Sequence, residues 1–91
     1  MKLKRSSLNA IKRVGLDYDR LVNTPGEFTA HNWITGEEIK TTCLVKTLIQ
    51  WVYYANLAYE RGEMPATIQD FDRVRYTILD LDERAYMACI D

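Results

Sequence analysis

Apolar and polar positions alternate with a helical period through most of the 91-residue chain, and the places where the period fails divide it into elements. Leu8, Ile11, Val14 and Tyr18 recur at helical spacing, which predicts a first helix capped by Ser6 or Ser7. Gly15 weakens that helix and divides it, with Asp17 placed to cap the second piece. The segment NTPGE at 23–27 is a break, because Pro25 cannot continue a helix and Gly26 permits a turn. EFTAHNWITGEEIKTT then reads as a β-hairpin. A three-residue loop, Ile34-Thr35-Gly36, sets Trp33 opposite Glu37, His31 opposite Ile39 and Thr29 opposite Thr41.

The strongest period follows. Leu44, Leu48, Trp51, Ala55 and Ala58 predict a central helix over about 43–61, capped by Thr41 or Thr42 and widened by the stripe Val45, Ile49, Val52 and Tyr59. Gly62 suits the position just past its end, and Pro65 blocks continuation. Thr67 and Asp70 form a cap-like pair, after which Phe71, Val74, Ile78, Leu81, Ala85 and Ala88 predict one last helix over about 68–89, with a kink near Asp80 allowed. A short strand at RVRYTIL competes, but its alternation does not persist. The expected fold is α+β and mostly helical, one domain over 1–91: an N-terminal helical segment, a β-hairpin, a long central helix and a C-terminal helix packed on it.

Composition narrows the function classes. A hydrophobic share of 47% with 27% charged residues is that of a folded domain. The net charge of −1 argues against a domain that binds nucleic acid over its whole surface. The charge is uneven: residues 1–13 hold five bases and no acid, whereas 63–91 hold three bases and seven acids. Cys43 and Cys89 are far apart and His31 is the single histidine, so a Cys/His zinc site lacks ligands. The start of the chain has no secretory pattern, and the longest apolar stretch is interrupted by Lys46, Thr47, Gln50 and Asn56. A cytoplasmic protein with reduced thiols, no cofactor and no membrane partner is the expectation.

Catalytic chemistry has little to work with. Two Asp-x-Asp pairs, Asp70/Asp72 and Asp80/Asp82, stand ten residues apart. On a helix, residues two apart point to opposite sides, so neither pair grips one metal ion, and both are expected on a solvated helix face. Cys43 and His31 are the one nucleophile–base couple, with nothing to supply an oxyanion hole or an orienting third group. There is no Gly-rich phosphate loop, and no enzymatic activity is expected.

Two binding functions remain. In AIKRVGLDYDRLVN (10–23), apolar Ile11 and Val14, Gly15 at the turn, then Leu16 and Leu21 resemble the helix-turn-helix of bacterial repressors. That resemblance implies a small DNA-binding regulator touching phosphates through Lys2, Lys4, Arg5, Lys12, Arg13 and Arg20. The sequence departs from it at Asp17 and Asp19, which would face phosphates, and at Pro25, which shortens the recognition helix. The preferred expectation is a stoichiometric inhibitor or adaptor that covers part of another protein. Its size class is that of small phage-encoded inhibitors, anti-CRISPR proteins among them, though no motif assigns it to such a family. The expected contact face is the outward side of the last helix, with Arg73, Tyr76, Asp80, Glu83 and Met87 projecting together. Its acids imply a basic surface on the partner. Tyr53 and Tyr54 form the alternative patch, and self-association through the same aromatic faces is a close variant.

Overall fold

A computed structural model describes residues 3–90 and resolves the segments into seven elements. The N-terminal part forms α1 (Arg5–Arg13) and α2 (Tyr18–Val22), and the hairpin is β1 (Phe28–His31) with β2 (Glu38–Thr41). The central helix is α3 (Cys43–Glu60), followed by α4 (Ile68–Leu81) and α5 (Glu83–Cys89). The α+β, mostly helical architecture is the expected one.

Helix α4 packs against α1, α3 and α5, while α3 also receives α2 and β1. The hairpin touches α3 through β1 and α5 through both strands. The core runs between these helices: Ile11, Leu48, Ile49, Val52, Val74 and Ile78 are each 2% exposed or less. Burying side chains of this size contributes roughly 1.5–3 kcal/mol each.

Most helix ends follow the sequence rules. The side chain of Asp17 accepts from Arg20 N at 3.2 Å, Thr42 from Val45 N at 3.2 Å and Thr67 from Asp70 N at 3.1 Å. Helix α3 closes in a Schellman turn, with Glu63 N donating to Ala58 O at 2.9 Å and Gly62 N to Tyr59 O at 3.0 Å. Gly62 takes φ +81° there, a conformation costly for any residue with a Cβ. The start of α1 departs from expectation. Lys4 occupies the cap position without a side-chain bond, and Ser7 lies inside the helix, buried, its hydroxyl without a partner among the described residues. Ala10 and Ile11 set that rotation: turning them into the core carries Ser7 in with them.

The hairpin register differs from the predicted one by a single residue. Phe28 pairs with Thr41, Ala30 with Ile39 and His31 with Glu38. A one-residue slip exchanges the faces of a strand, and the predicted register would have set polar His31 beside apolar Ile39. The observed one puts Phe28, Ala30, Ile39 and Thr41 on the inner face and brings His31 Nε2 to 2.7 Å from Glu38 Oε2 on the outer one. Trp33 therefore belongs to the loop rather than to a cross-strand pair.

The last segment is two helices, not one. Asp82 adopts φ −155° and ψ 91°, ending α4 and capping α5 by accepting from Ala85 N at 3.1 Å. Its second oxygen accepts from the hydroxyl of Thr41 at 2.7 Å, across to the hairpin. The break lies two residues beyond the kink expected near Asp80, and it is fixed by this tertiary bond as well as by local capping.

Candidate functional site

The loop of the hairpin is built around Asn32. Its Oδ1 accepts from Ile34 N at 2.8 Å and Thr35 N at 3.1 Å, while Asn32 N donates to Glu37 O at 2.8 Å. Gly36 closes the loop at φ +79°, with its N–H on Asn32 O at 2.7 Å. Asn32 Nδ2 also donates to Ala88 O at 3.0 Å, which ties the tip to α5. So fixed, the tip lays Trp33 on the middle of α3. The indole stacks on Tyr53 at 4.9 Å with a 12° interplanar angle and meets Tyr54 edge-on at 5.2 Å.

That contact gives the two adjacent tyrosines different roles. Tyr53 sits at the rim of the buried arc of α3, and the covering indole brings it to 8% exposed. Its hydroxyl donates to the carbonyl of Cys89 in α5. Burial and the nearby Cys89 push its pKa up against the opposing effect of the Trp33 backbone. Tyr53, expected as an exposed contact residue, is instead covered by Trp33 and tied to α5. Tyr54 remains 64% exposed, within a stripe of exposed positions Gln50, Tyr54, Leu57 and Arg61 at 4-3-4 spacing.

The result is an exposed apolar surface with Ile34 (89% exposed), Tyr54, Trp33 and Leu57 as its large members. A fully covered aromatic side chain buries roughly 150–250 Å², and Trp33 and Tyr54 leave about half of that open, so with Ile34 and Leu57 the exposed apolar area is on the order of a few hundred Å². Beside it, a cleft of about 230 Å³ opens between the hairpin tip, α3 and the C-terminal helices. Ile34, Val52, Tyr53 and Phe71 are among its apolar walls, and Asn56 and Arg75 supply polar groups. Arg75 lies 5.7 Å from the centre of the Phe71 ring, and its Nη1 donates to Asp72 at 3.1 Å. Trp33 and Ile34 were not expected as site residues. The tip itself was the signal: two bulky apolar residues in a hairpin turn bury nothing locally.

The face expected on the last helix is divided. Tyr76, 46% exposed, shares a groove with Arg73, Arg13 and Ser6 between α1 and α4. Glu83 and Met87 line a different groove, with Glu37, Glu38 and Ile39 of the hairpin. Asp80 is exposed and lines neither. These positions would share one stripe on a continuous helix, and the break at Asp82 turns the second half toward β2. Asp80 and Arg84 likewise form no ion pair among the described residues, since residues four apart meet only within one helix.

The carboxylates also divide. Asp70 is not a solvated helix-face residue: its side chain is 12% exposed and takes two hydrogen bonds from Arg13, at 2.9 and 2.8 Å. The guanidinium beside it holds the Asp70 carboxyl below its ordinary range, against the opposing effect of burial, and Asp70 in turn raises the pKa of Arg13. Asp72 pairs with Arg75, and Asp82 is a cap. Among the described residues no group of three or more His, Cys, Asp and Glu side chains converges as metal ligands. His31 bonds Glu38 on the outer hairpin face, and no hydrogen bond among the described residues joins it to Cys43 at the start of α3. Buried Cys89 has its thiol pKa raised, first by burial and then by Glu37, which keeps it protonated.

The six basic residues expected to touch phosphates do not act as one group. Lys4, Arg5 and Lys12 are exposed on or beside α1, and Arg20 is exposed on α2. Arg13 is engaged by Asp70, and Lys2 lies outside the described residues. The two helices flank Gly15 as in a helix-turn-helix, but α2 has five residues, with Asp17 and Asp19 in and before its first turn. A recognition helix needs to reach base edges along a groove, which this length does not provide.

No family model, curated protein or solved structure matches this chain. Among the described residues no helix is long and apolar enough to cross a membrane.

Proposed function

We propose that this protein is a non-catalytic binding module, a stoichiometric inhibitor or adaptor that covers part of another protein with its Trp33–Ile34–Tyr54–Leu57 surface. One observation carries the proposal. An isoleucine 89% exposed and a tryptophan 45% exposed sit at a turn held by Asn32, against a tyrosine 64% exposed. A turn already fixed by hydrogen bonds, with its indole already stacked, loses little conformational entropy on binding, which is what an interface hot spot requires. The same reading keeps the protein in the cytoplasm, with Cys43 and Cys89 as thiols. The contact surface moves from the last helix to the hairpin tip and α3, and it keeps Tyr54 from the alternative patch.

The test is capture of the partner from native extract, with and without nuclease. It compares wild type with Ile34→Glu plus Tyr54→Ala, and with Tyr76→Ala plus Met87→Ala, each shown by circular dichroism to be folded. The first pair weakens capture at least tenfold, on the order of the ~2 kcal/mol that a hot-spot truncation costs; the second does not. Capture unaffected by the first pair and lost with the second returns the contact to the last helices. A nuclease-sensitive complex lost on changing Lys4, Arg5 and Lys12 makes the protein a nucleic-acid binder instead. Self-association appears as a concentration-dependent mass in light scattering that Ile34→Glu abolishes.

A further inference from the structure

We infer that the cleft beneath the hairpin tip is an anchor pocket for an apolar side chain flanked by a carboxylate, supplied by a peptide segment of the protein partner. This rests on the binding function proposed above and names what that surface recognises. The cleft measures about 230 Å³, too small for most drug-sized ligands and suited to one residue of a docked chain. Val52 and Phe71 are buried and Ile34 stands at the exposed tip, so the pocket offers apolar walls to an aliphatic or aromatic group.

Its polar groups select the rest of the ligand. Among the described residues Arg75 is the one charged side chain lining it. A guanidinium has five N–H donors, and among the described residues Arg75 uses one in a hydrogen bond, to Asp72. Its position is fixed by that bond and by the rings of Phe71 and Tyr76, each centred 5.7 Å away. The donors left over match the fork of a carboxylate. Asn56 adds an exposed amide on the α3 side. Asn32, by contrast, already holds the turn and Ala88, so it serves as frame. Among the described lining residues no carboxylate offers a basic ligand a partner, and the one carboxylate bonded to Arg75, that of Asp72, is already engaged.

The cleft adjoins the aromatic surface directly, since Ile34 belongs to both and Tyr53 lies under Trp33. A segment crossing Tyr54 and Trp33 can therefore seat one side chain in the cleft and leave a neighbouring acid on Arg75. The partner segment is apolar and acidic, opposite in charge to the basic partner that the acids of the last helix suggested.

Three N-acetylated ligands test this on the isolated protein by amide chemical-shift titration. They are N-acetyl-leucyl-glutamate amide, N-acetyl-leucyl-glutamine amide and N-acetyl-leucine, the last placing the carboxylate at a chain end. The glutamate peptide shifts the amides of Ile34, Asn56 and Arg75 saturably and binds about tenfold tighter than its glutamine counterpart, as expected for one charge-assisted contact shared with Asp72. Arg75→Gln erases that difference while leaving the fold intact by circular dichroism. Tighter binding by N-acetyl-leucine than by the glutamate peptide assigns the site to a chain terminus and overturns an internal segment. Equal binding of the glutamate and glutamine peptides, or shifts lying away from the cleft, overturns the inference itself. Capture lost with Ile34→Glu plus Tyr54→Ala under that last result leaves the binding function standing without the carboxylate pocket. A carboxylate preference that Arg75→Gln erases, together with capture unaffected by that pair, supports the pocket and refutes the proposed surface.

Discussion

Neighbouring tyrosines on one helix should respond very unequally to the loss of a single oxygen. Tyr53→Phe removes the hydroxyl that donates to the Cys89 carbonyl and keeps the ring under Trp33. A buried acceptor left without its donor costs about 1–2 kcal/mol, the lower part of the usual range because the carbonyl lies at the end of α5. In a domain of this size that lowers the melting temperature by roughly 5–12 °C. Tyr53→Ala also empties the space beneath the indole and costs about 3–5 kcal/mol. Tyr54→Phe, at a position 64% exposed, stays within about 0.5 kcal/mol of wild type. Thermal melts followed by far-ultraviolet circular dichroism, with urea midpoints as a second measure, separate the pair. If Tyr53→Phe melts within about 2 °C of wild type, the bond to Cys89 does not hold the C-terminal helix to α3. If Tyr54→Phe is instead the damaging change, the assignment of the two rings is reversed.

Two further outcomes follow from polar contacts between elements. Bonding to Arg13 depresses the folded-state pKa of Asp70, whereas in the unfolded chain it returns to about 3.9. The stability from this group is therefore complete above that value and is lost as pH falls through the lower folded one, so Asp70→Asn should flatten the decline of urea midpoints below about pH 4; parallel wild-type and variant curves would refute the linkage. Asp82→Ala removes both the cap of α5 and the acceptor for Thr41, costing about 2–3 kcal/mol. A double-mutant cycle with Thr41→Val should return a coupling of about 1 kcal/mol, and a coupling near zero would mean that the hairpin does not fix the helix break.

Periodicity determined much of this fold, because a 3.6-residue repeat that buries one face needs only the chain itself to be legible. The central helix, its cap within the pair Thr41–Thr42, its Gly62 exit and the Thr67 start of α4 were all readable in that way. So was the split of the N-terminal helix, with Asp17 capping the second piece. Features set by contacts between distant residues were not. Asp82 has the composition of a helix surface, and Thr41, forty-one positions away, turns it into a junction. Asp70 was legible as a first-turn acid but not as the partner of Arg13, fifty-seven positions off. The hairpin register depended on which strand face met α3 and α5, a choice that loop length alone could not make. The candidate site belongs to this second kind. Helical spacing placed Tyr53 and Tyr54 alike outside the main stripe; a tryptophan from a turn twenty residues earlier covered one ring and left the other in solvent beside Ile34. Local physics decides which residues form a helix, whereas burial at the rim of a helix is decided by whatever packs on it.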